Sequence, residues 1–345
     1  MKILGIETSC DETAASLIKI KGGKTKVLSN VVSSQIKIHQ QYGGVVPEVA
    51  ARNHIKNILP VINKALPLPF NSPPLIRGGA RGGVDAIAVT CGPGLISSLI
   101  IGLETAKSLS YAWNKPLIGV NHMAGHIYGN FINNDKVQFP ALALVVSGGH
   151  TELVLMRDHL KFKKIGQTRD DAVGEAFDKV AKMLGLGYPG GPLVAKHASK
   201  GDKKKIKMPR PMMRDNNFDF SFSGLKTSVL YQIQKDKNYK KNIPDYCAAF
   251  QQAVIDVLIF KTLKAAQKYK VKSILLAGGV AANKELRQQL GETIKQQLPK
   301  INYHVPSLKY TTDNATMIAM AGYYMAKQKK YTSYDKLKVD CNLSL

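Results

Sequence analysis

His122 and His126 stand four residues apart in Asn121-His122-Met123-Ala124-Gly125-His126. On a helix, positions i and i+4 lie on one face a turn apart, so two imidazoles spaced this way can share one metal ion. A cation needs a third ligand, preferably a carboxylate, and Asp313 in Tyr310-Thr311-Thr312-Asp313-Asn314 is a candidate. Two His and one carboxylate leave coordination positions open, as in a working site rather than a closed structural one. A bland reading stands beside this one. The chain has eight histidines, and such a pair also arises by chance. A zinc protease of the His-Glu-x-x-His kind is disfavoured, because Met123 occupies the place of the water-activating Glu.

Glycine turns form a second set. Ser147-Gly148-Gly149-His150-Thr151 lies between two apolar runs, and Ala277-Gly278-Gly279-Val280-Ala281-Ala282-Asn283 joins a strand pattern to a helix pattern. A third is Gly187-Tyr188-Pro189-Gly190-Gly191-Pro192. Glycines let backbone N–H groups approach an anion, and a helix N-terminus adds its dipole. Gly-Gly turns also occur for steric reasons alone, so the set points to a nucleotide or phosphate site without naming one. Glu7, Asp11 and Glu12 surround the first hairpin bend. They are either ordinary turn residues or groups that orient a metal-bound phosphate or accept a proton. Asp178 sits in a helical pattern and gains interest only beside the glycine turns.

These residues need elements to hold them. Lys2–Thr8 and Ala14–Ile20 read as a hairpin, and Ala141–Val146 with Thr151–Met156 repeats it. Two such units, each opening a mixed α/β region, predict an internally duplicated architecture. Helical periods cover 49–65, 95–112, 171–184, 224–234, 246–269, 283–297 and 314–327, with strands at 85–90, 116–120, 273–277 and 302–305 between them. Alternation of this kind means α/β layers. The stretch 67–83 is Pro- then Gly-rich, lacks a period, and reads as a flexible surface insertion.

Composition bounds the rest. At 345 residues with 44% hydrophobic content, the chain is long enough for two globular domains. No run of about 18 apolar residues is evident, so no membrane association is expected. Polar Glu7, Thr8 and Ser9 follow closely on Met1, against an apolar leader. Cys10, Cys91, Cys247 and Cys341 are scattered without a CxxC pair, which fits a reducing cytoplasm. Net charge is +25, with 49 Lys and Arg against 24 Asp and Glu. The excess is dense at 200–214 and returns at 235–241, 261–272 and 327–330. It favours a polyanion partner, or else marks only solvated lysine-rich faces.

Together the motifs resemble one family. Gly5-Ile6-Glu7-Thr8-Ser9-Cys10-Asp11-Glu12-Thr13, Tyr42-Gly43-Gly44-Val45-Val46-Pro47-Glu48, Ser147–Thr151, Gly174-Glu175-Ala176-Phe177-Asp178-Lys179, Phe220-Ser221-Phe222-Ser223-Gly224-Leu225-Lys226-Thr227, Ala277–Val280 and Thr312-Asp313-Asn314 are similar to the tRNA N6-adenosine threonylcarbamoyltransferases, once labelled glycoprotein endopeptidases. The resemblance runs from residue 1 to about 327. It implies a duplicated actin-like and sugar-kinase-like (ASKHA) α/β fold of two domains around a central cleft. The first would be 1–120 plus about 313–345, and the second 121–312. It implies a divalent metal, usually Fe2+ with Zn2+ as the alternative, on His122, His126 and Asp313. It places an adenylate against Val145, Val146, Ser147, Gly148, Gly149, Asp178, Gly191 and Asn283.

The implied reaction moves a threonylcarbamoyl group from threonylcarbamoyl-AMP to N6 of adenosine 37, in tRNAs reading codons that start with A. Asp11 or Glu12 would take the amine proton. The implied partners are the tRNA anticodon arm, a paralogous subunit of actin-like fold and a small ATPase. The chain departs from the usual pattern at Asn121 and Ala124, where His and Glu are common, and at Ala315, where Gly is usual. Two competing functions share the fold: an ATP-dependent small-molecule kinase needing no HxxxH metal, and a non-enzymatic ATP-binding scaffold that presents tRNA.

Overall fold

The structure, a computed structural model, describes residues 1–66, 83–134 and 136–345. The insertion expected at 67–83 therefore lies outside the described residues, apart from Gly83. Two compact units emerge, Met1–Lys136 with Pro306–Leu345, and Val137–Val305.

The first unit runs β1 (Lys2–Glu7), β2 (Glu12–Lys21), β3 (Lys24–Ser34), α1 (Ile36–Gln40), α2 (Pro47–Ala65), β4 (Ala86–Gly92), α3 (Ile96–Trp113), β5 (Leu117–Asn121) and α4 (His122–Tyr128). The second holds β6 (Ala141–Val146), β7 (Thr151–Asp158), β8 (Lys161–Gln167), α5 (Val173–Met183), α6 (Gly190–Ala198), α7 (Ser223–Lys235), α8 (Ile243–Lys268), β9 (Ser273–Ala277), α9 (Lys284–Gln297) and β10 (Asn302–His304). The chain then returns to the first unit with α10 (Ala315–Lys327).

Each unit is built on a five-stranded sheet, in the order β3-β2-β1-β4-β5 and β8-β7-β6-β9-β10. The pairings match step for step. β1 pairs antiparallel with β2 and parallel with β4, as β6 does with β7 and β9. The expected duplication is thus present in the topology. β4, β6 and β9 are buried at every position, which suits parallel strands covered on both faces. The outer strands β3 and β8 escaped the sequence reading. Their Lys- and Ser-rich runs carry little apolar signal, and pairing to β2 and β7 makes them strands.

Two expectations shift. The sequence reading drew its boundaries at 120 and 313, whereas the compact units divide at Lys136 and Pro306. The reason is packing: α4 lies against α10, which in turn covers β1 and β2, so α4 belongs to the first unit. The second concerns apolar runs. Among the described residues, α8 is the one helix long and apolar enough to cross a membrane by length and composition. It is the core helix of the second unit, where Phe250, Val254, Val257 and Leu258 are buried against the sheet.

Candidate functional site

β5 ends at Asn121, whose Oδ1 accepts the Ala124 N–H at 3.1 Å and starts α4. Every residue of this seven-residue helix is buried. His122 and His126 lie on successive turns with ring centroids 4.6 Å apart. Asp313 comes two residues before α10, whose N-cap Asn314 accepts the Met317 N–H at 3.1 Å. Asp313 Oδ1 is 3.5 Å from His122 Nε2 and 3.2 Å from His126 Nε2. Ligand atoms about 2.1 Å from a common tetrahedral centre sit about 3.4 Å apart, so these separations suit one ion. His126 supplies a second test. It is buried, yet neither ring nitrogen meets hydrogen-bond geometry with any partner among the described residues. A cation would satisfy Nε2 where the nearby carboxylate does not, and the three residues fit a divalent metal.

The other side of His122 is equally built. Its Nδ1 lies 3.0 Å from Glu7 Oε2 and 3.1 Å from Ser9 Oγ. Glu7, fully buried at the end of β1, also accepts Thr90 Oγ1–H at 2.6 Å and the Ser9 N–H at 2.5 Å. A carboxylate on Nδ1 fixes the tautomer that leaves the Nε2 lone pair for a metal. Without metal, the charges oppose burial. Burial alone would raise Glu7, but His122 holds it below the usual carboxylate range. Burial alone would lower His122, yet Glu7 and Asp313 lift it to about 9. His126 goes down, by burial and then by the His122 charge. Sequence reasoning grouped Glu7 with the bend carboxylates. The overlooked signal was an acid closing an otherwise apolar strand.

Asp11 is nearly buried, and Glu12 accepts Ser34 Oγ–H at 3.0 Å. Burial, then Asp313 and Asp11, push Glu12 up to about 10. The Cys10 thiol is raised by burial and then by the surrounding carboxylates, the opposite of an activated nucleophile.

The eight residues expected to hold the adenylate all fall in the second unit. Val145 and Val146 end β6 with their side chains in the core, so only their backbone is available to a ligand. In the turn that follows, the Ser147 N–H donates to the His150 carbonyl at 2.8 Å. Gly148 and Gly149 face open space. The start of α5 rests on this turn, with the Gly174 N–H on the Ser147 carbonyl at 3.1 Å. Gly278, at φ +91°, crosses the end of β6 so closely that a Cβ would overlap the Val146 carbonyl oxygen. This brings the Gly278–Asn283 turn beside Val146. Asn283 caps α9 through the Leu286 N–H at 3.0 Å and donates to Gln251 Oε1 at 2.8 Å. Asp178, raised by burial, accepts the Gly190 N–H at 2.7 Å at the start of α6, next to Gly191. Asp178 and Asn283 therefore each order a helix N-terminus rather than standing free.

The basic run at 200–214 is partly neutralised. Lys205 pairs with Asp245 at 2.6 Å, Arg210 with Asp256 at 2.6 Å, and Lys203 donates to Gln252 at 3.0 Å. Lys204, Lys207 and Arg214 are exposed outside these pairs.

Comparison with known proteins accords with this arrangement. Residues 26–320 match the family model of TsaD, tRNA N6-adenosine threonylcarbamoyltransferase. A tRNA N6-adenosine threonylcarbamoyltransferase of Syntrophomonas wolfei is 51% identical over 323 residues, covering 93% of this chain and 91% of its own. The namesake from Thermosipho africanus is 48% identical over the full length of both chains. Among solved structures, HypF from T. kodakarensis aligns with a TM-score of 0.63 at 12% identity, over 98% of this chain and 50% of its own. A full-length HypF in the phosphate- and nucleotide-bound form gives 0.59 at 14%, over 96% and 56%. These two share the fold alone, and this chain spans about half their length. The match over most of the sequence, with relatives near half identity, makes the chain a member of the tRNA N6-adenosine threonylcarbamoyltransferase family.

Proposed function

We propose that this enzyme transfers the threonylcarbamoyl group of threonylcarbamoyl-AMP to N6 of adenosine 37, in tRNAs reading codons that begin with A. The observation that carries this is the convergence of His122, His126 and Asp313 within 4.8 Å of one another in a chain of this family. Two His and one carboxylate with open positions suit Fe2+, and Zn2+ accepts the same ligands. The duplicated sheets and the likeness to HypF support an actin-like, sugar-kinase-like (ASKHA) fold.

Adenine's exocyclic amine is a poor nucleophile, since its lone pair is delocalised into the ring. The donor must therefore be activated and well placed. The chemistry a bound metal supplies is Lewis-acid polarisation of the donor's oxygens. Glu7 holds the His122 ring for that ligand role. The open Gly148–Gly149 backbone, with Asp178, Gly191 and Asn283, forms the adenylate site, where N–H groups meet the phosphate. Of the two bend carboxylates, Asp11 is the one we assign to take the amine proton, because Glu12, pushed up to about 10, already carries its proton at neutral pH. Fixing donor and base together contributes up to ~7–11 kcal/mol.

The reading includes a cytoplasmic setting with no membrane role, the anticodon arm as the polyanion, a paralogous actin-like subunit and a small ATPase. Two packed helices, α2 and α3, each expose an apolar i,i+4 pair, Ile55 with Leu59 and Ile96 with Ile100, which supports a protein partner. The test supplies preformed threonylcarbamoyl-AMP, unmodified tRNA and the partner proteins, and weighs the nucleosides by mass spectrometry. The wild type should yield threonylcarbamoyladenosine, and Asp313→Ala should lose both metal and transfer. Full metal content and transfer in Asp313→Ala would overturn the site.

A further inference from the structure

α4 is too short to set its own direction. A seven-residue helix has no independent stability, so the angle at which it presents His122 and His126 is fixed from outside. Its N-cap Asn121 uses both ends of its amide. Oδ1 accepts the Ala124 N–H at 3.1 Å, and Nδ2 donates to the Leu343 carbonyl, 222 residues away, at 3.1 Å.

The segment that supplies this carbonyl is itself anchored. Leu337 is buried in the first unit's core, with Val339 and Leu343 packed against it. The Asp340 N–H donates to the Cys91 carbonyl at 2.9 Å, and the Gly94 N–H donates to the Cys341 carbonyl at 3.3 Å. Gly92, at φ +152°, is required there, because a Cβ would overlap the Asp340 carbonyl oxygen. The same strand end supports His122 from its other side. Thr90 donates to Glu7, and the Leu95 N–H holds the carbonyl of Ser9, whose hydroxyl meets His122 Nδ1. The strap thus grips both the start of the ligand helix and the turn that braces its first ligand.

We propose that Asn121 is a positioning residue, which ties α4 to a strap of residues 337–343 and so sets the geometry of the His122–His126 pair. The residue type carries the point. Asp at 121 would cap the helix equally well, but it lacks the N–H that Asn121 donates to the Leu343 carbonyl.

The proposal rests on the metal site, and the experiment separates the two. The probe is Co2+, titrated into the metal-free full chain and followed by its visible d–d absorption. The variants are Asn121→Asp, which keeps the cap and loses the donor, a chain ending at Asp340, which keeps Leu337 and the Cys91 contact, and the two combined. Each single change should weaken Co2+ about tenfold and alter the spectrum, as loss of an outer-shell partner does. The combination should be no weaker than either alone, the mark of one shared interaction. Affinities within about twofold of wild type, or losses that multiply in the combination, overturn the strap while Asp313→Ala still abolishes binding. Wild-type affinity in Asp313→Ala overturns the metal site and the strap with it.

Discussion

Glu7 Oε2 and His122 Nδ1 meet at 3.0 Å although β4 lies between β1, which ends at Glu7, and β5, which leads into His122. Thr90, on that middle strand, closes the gap by donating to the same carboxylate oxygen. Replacing Glu7 with Gln keeps the shape and removes the charge. With its carbonyl turned to the Ser9 N–H, the new amide donates to His122 Nδ1 and drives the ring proton onto Nε2, where the metal belongs. Turned the other way, it faces the Ser9 N–H with a second donor. Glu7→Gln should weaken divalent metal ~10–100-fold with the fold retained, as read by metal titration and circular dichroism. Metal affinity within about twofold of wild type would show that Glu7 does not orient the ligand.

Gly149 offers a test of the adenylate site that leaves the scaffold alone. A Cβ there meets no atom within 4 Å, so Gly149→Ala should melt close to the wild-type temperature. If its N–H groups cradle a phosphate, the added methyl blocks their approach. The variant should then raise KM for threonylcarbamoyl-AMP by about tenfold or more, the ~1.4 kcal/mol that follows from losing one hydrogen bond to a charged group. An unchanged KM would move the phosphate elsewhere.

How much of this was legible beforehand follows from where the information lies. The His122–His126 pair is local, and spacing alone gives the shared helix face. The strands β6 and β9 were read at their observed bounds because both are short, wholly apolar and bounded by turns. Asp313 is 187 residues from His126, and no local pattern joins them. Residue chemistry could offer Asp313 only as a candidate third ligand, and the resemblance is what singled it out. Glu7 went unassigned for a similar reason: the parallel register of β1, β4 and β5, which aligns Ile6 with Val89 and Val89 with Gly119, is set by the sheet rather than by any window of sequence. The basic run at 200–214 was visible as charge, but its partners Asp245 and Asp256 lie on α8 and appear only on folding.

Asp170 gives the pH dependence its sign. It accepts Ser221 Oγ–H at 2.5 Å, Ser223 Oγ–H at 2.6 Å and the N–H groups of Phe222 and Ser223 at the start of α7. Burial is the largest single influence and raises its pKa, but these four donors together outweigh it, so the carboxyl stays below its ordinary 3.8. A group depressed on folding stabilises above its unfolded pKa and loses that contribution as pH falls through the folded value. Urea titrations should find Asp170→Asn less stable than wild type at neutral pH, and the gap should close below 3.8. A gap that persists undiminished in acid would mean the charge is irrelevant and only the amide's geometry differs.

The internal pairing of the basic run decides which lysines can serve tRNA. Lys205 and Arg210 already neutralise Asp245 and Asp256, so a phosphate gains less from them. Lys204, Lys207 and Arg214 are exposed outside those pairs. Each phosphate neutralised adds roughly 0.7–0.9 to the magnitude of the slope of log K against log salt. Changing Lys204, Lys207 and Arg214 together to Ala should therefore flatten the slope by about 2 to 3 and weaken tRNA binding most at low salt. Lys205→Ala should change it by less than one such step, because its charge is already taken up by Asp245. Filter binding of unmodified tRNA across a salt series reads both. Equal slopes for the triple variant and the wild type would make this run a solvated face and move the anticodon arm to another basic segment.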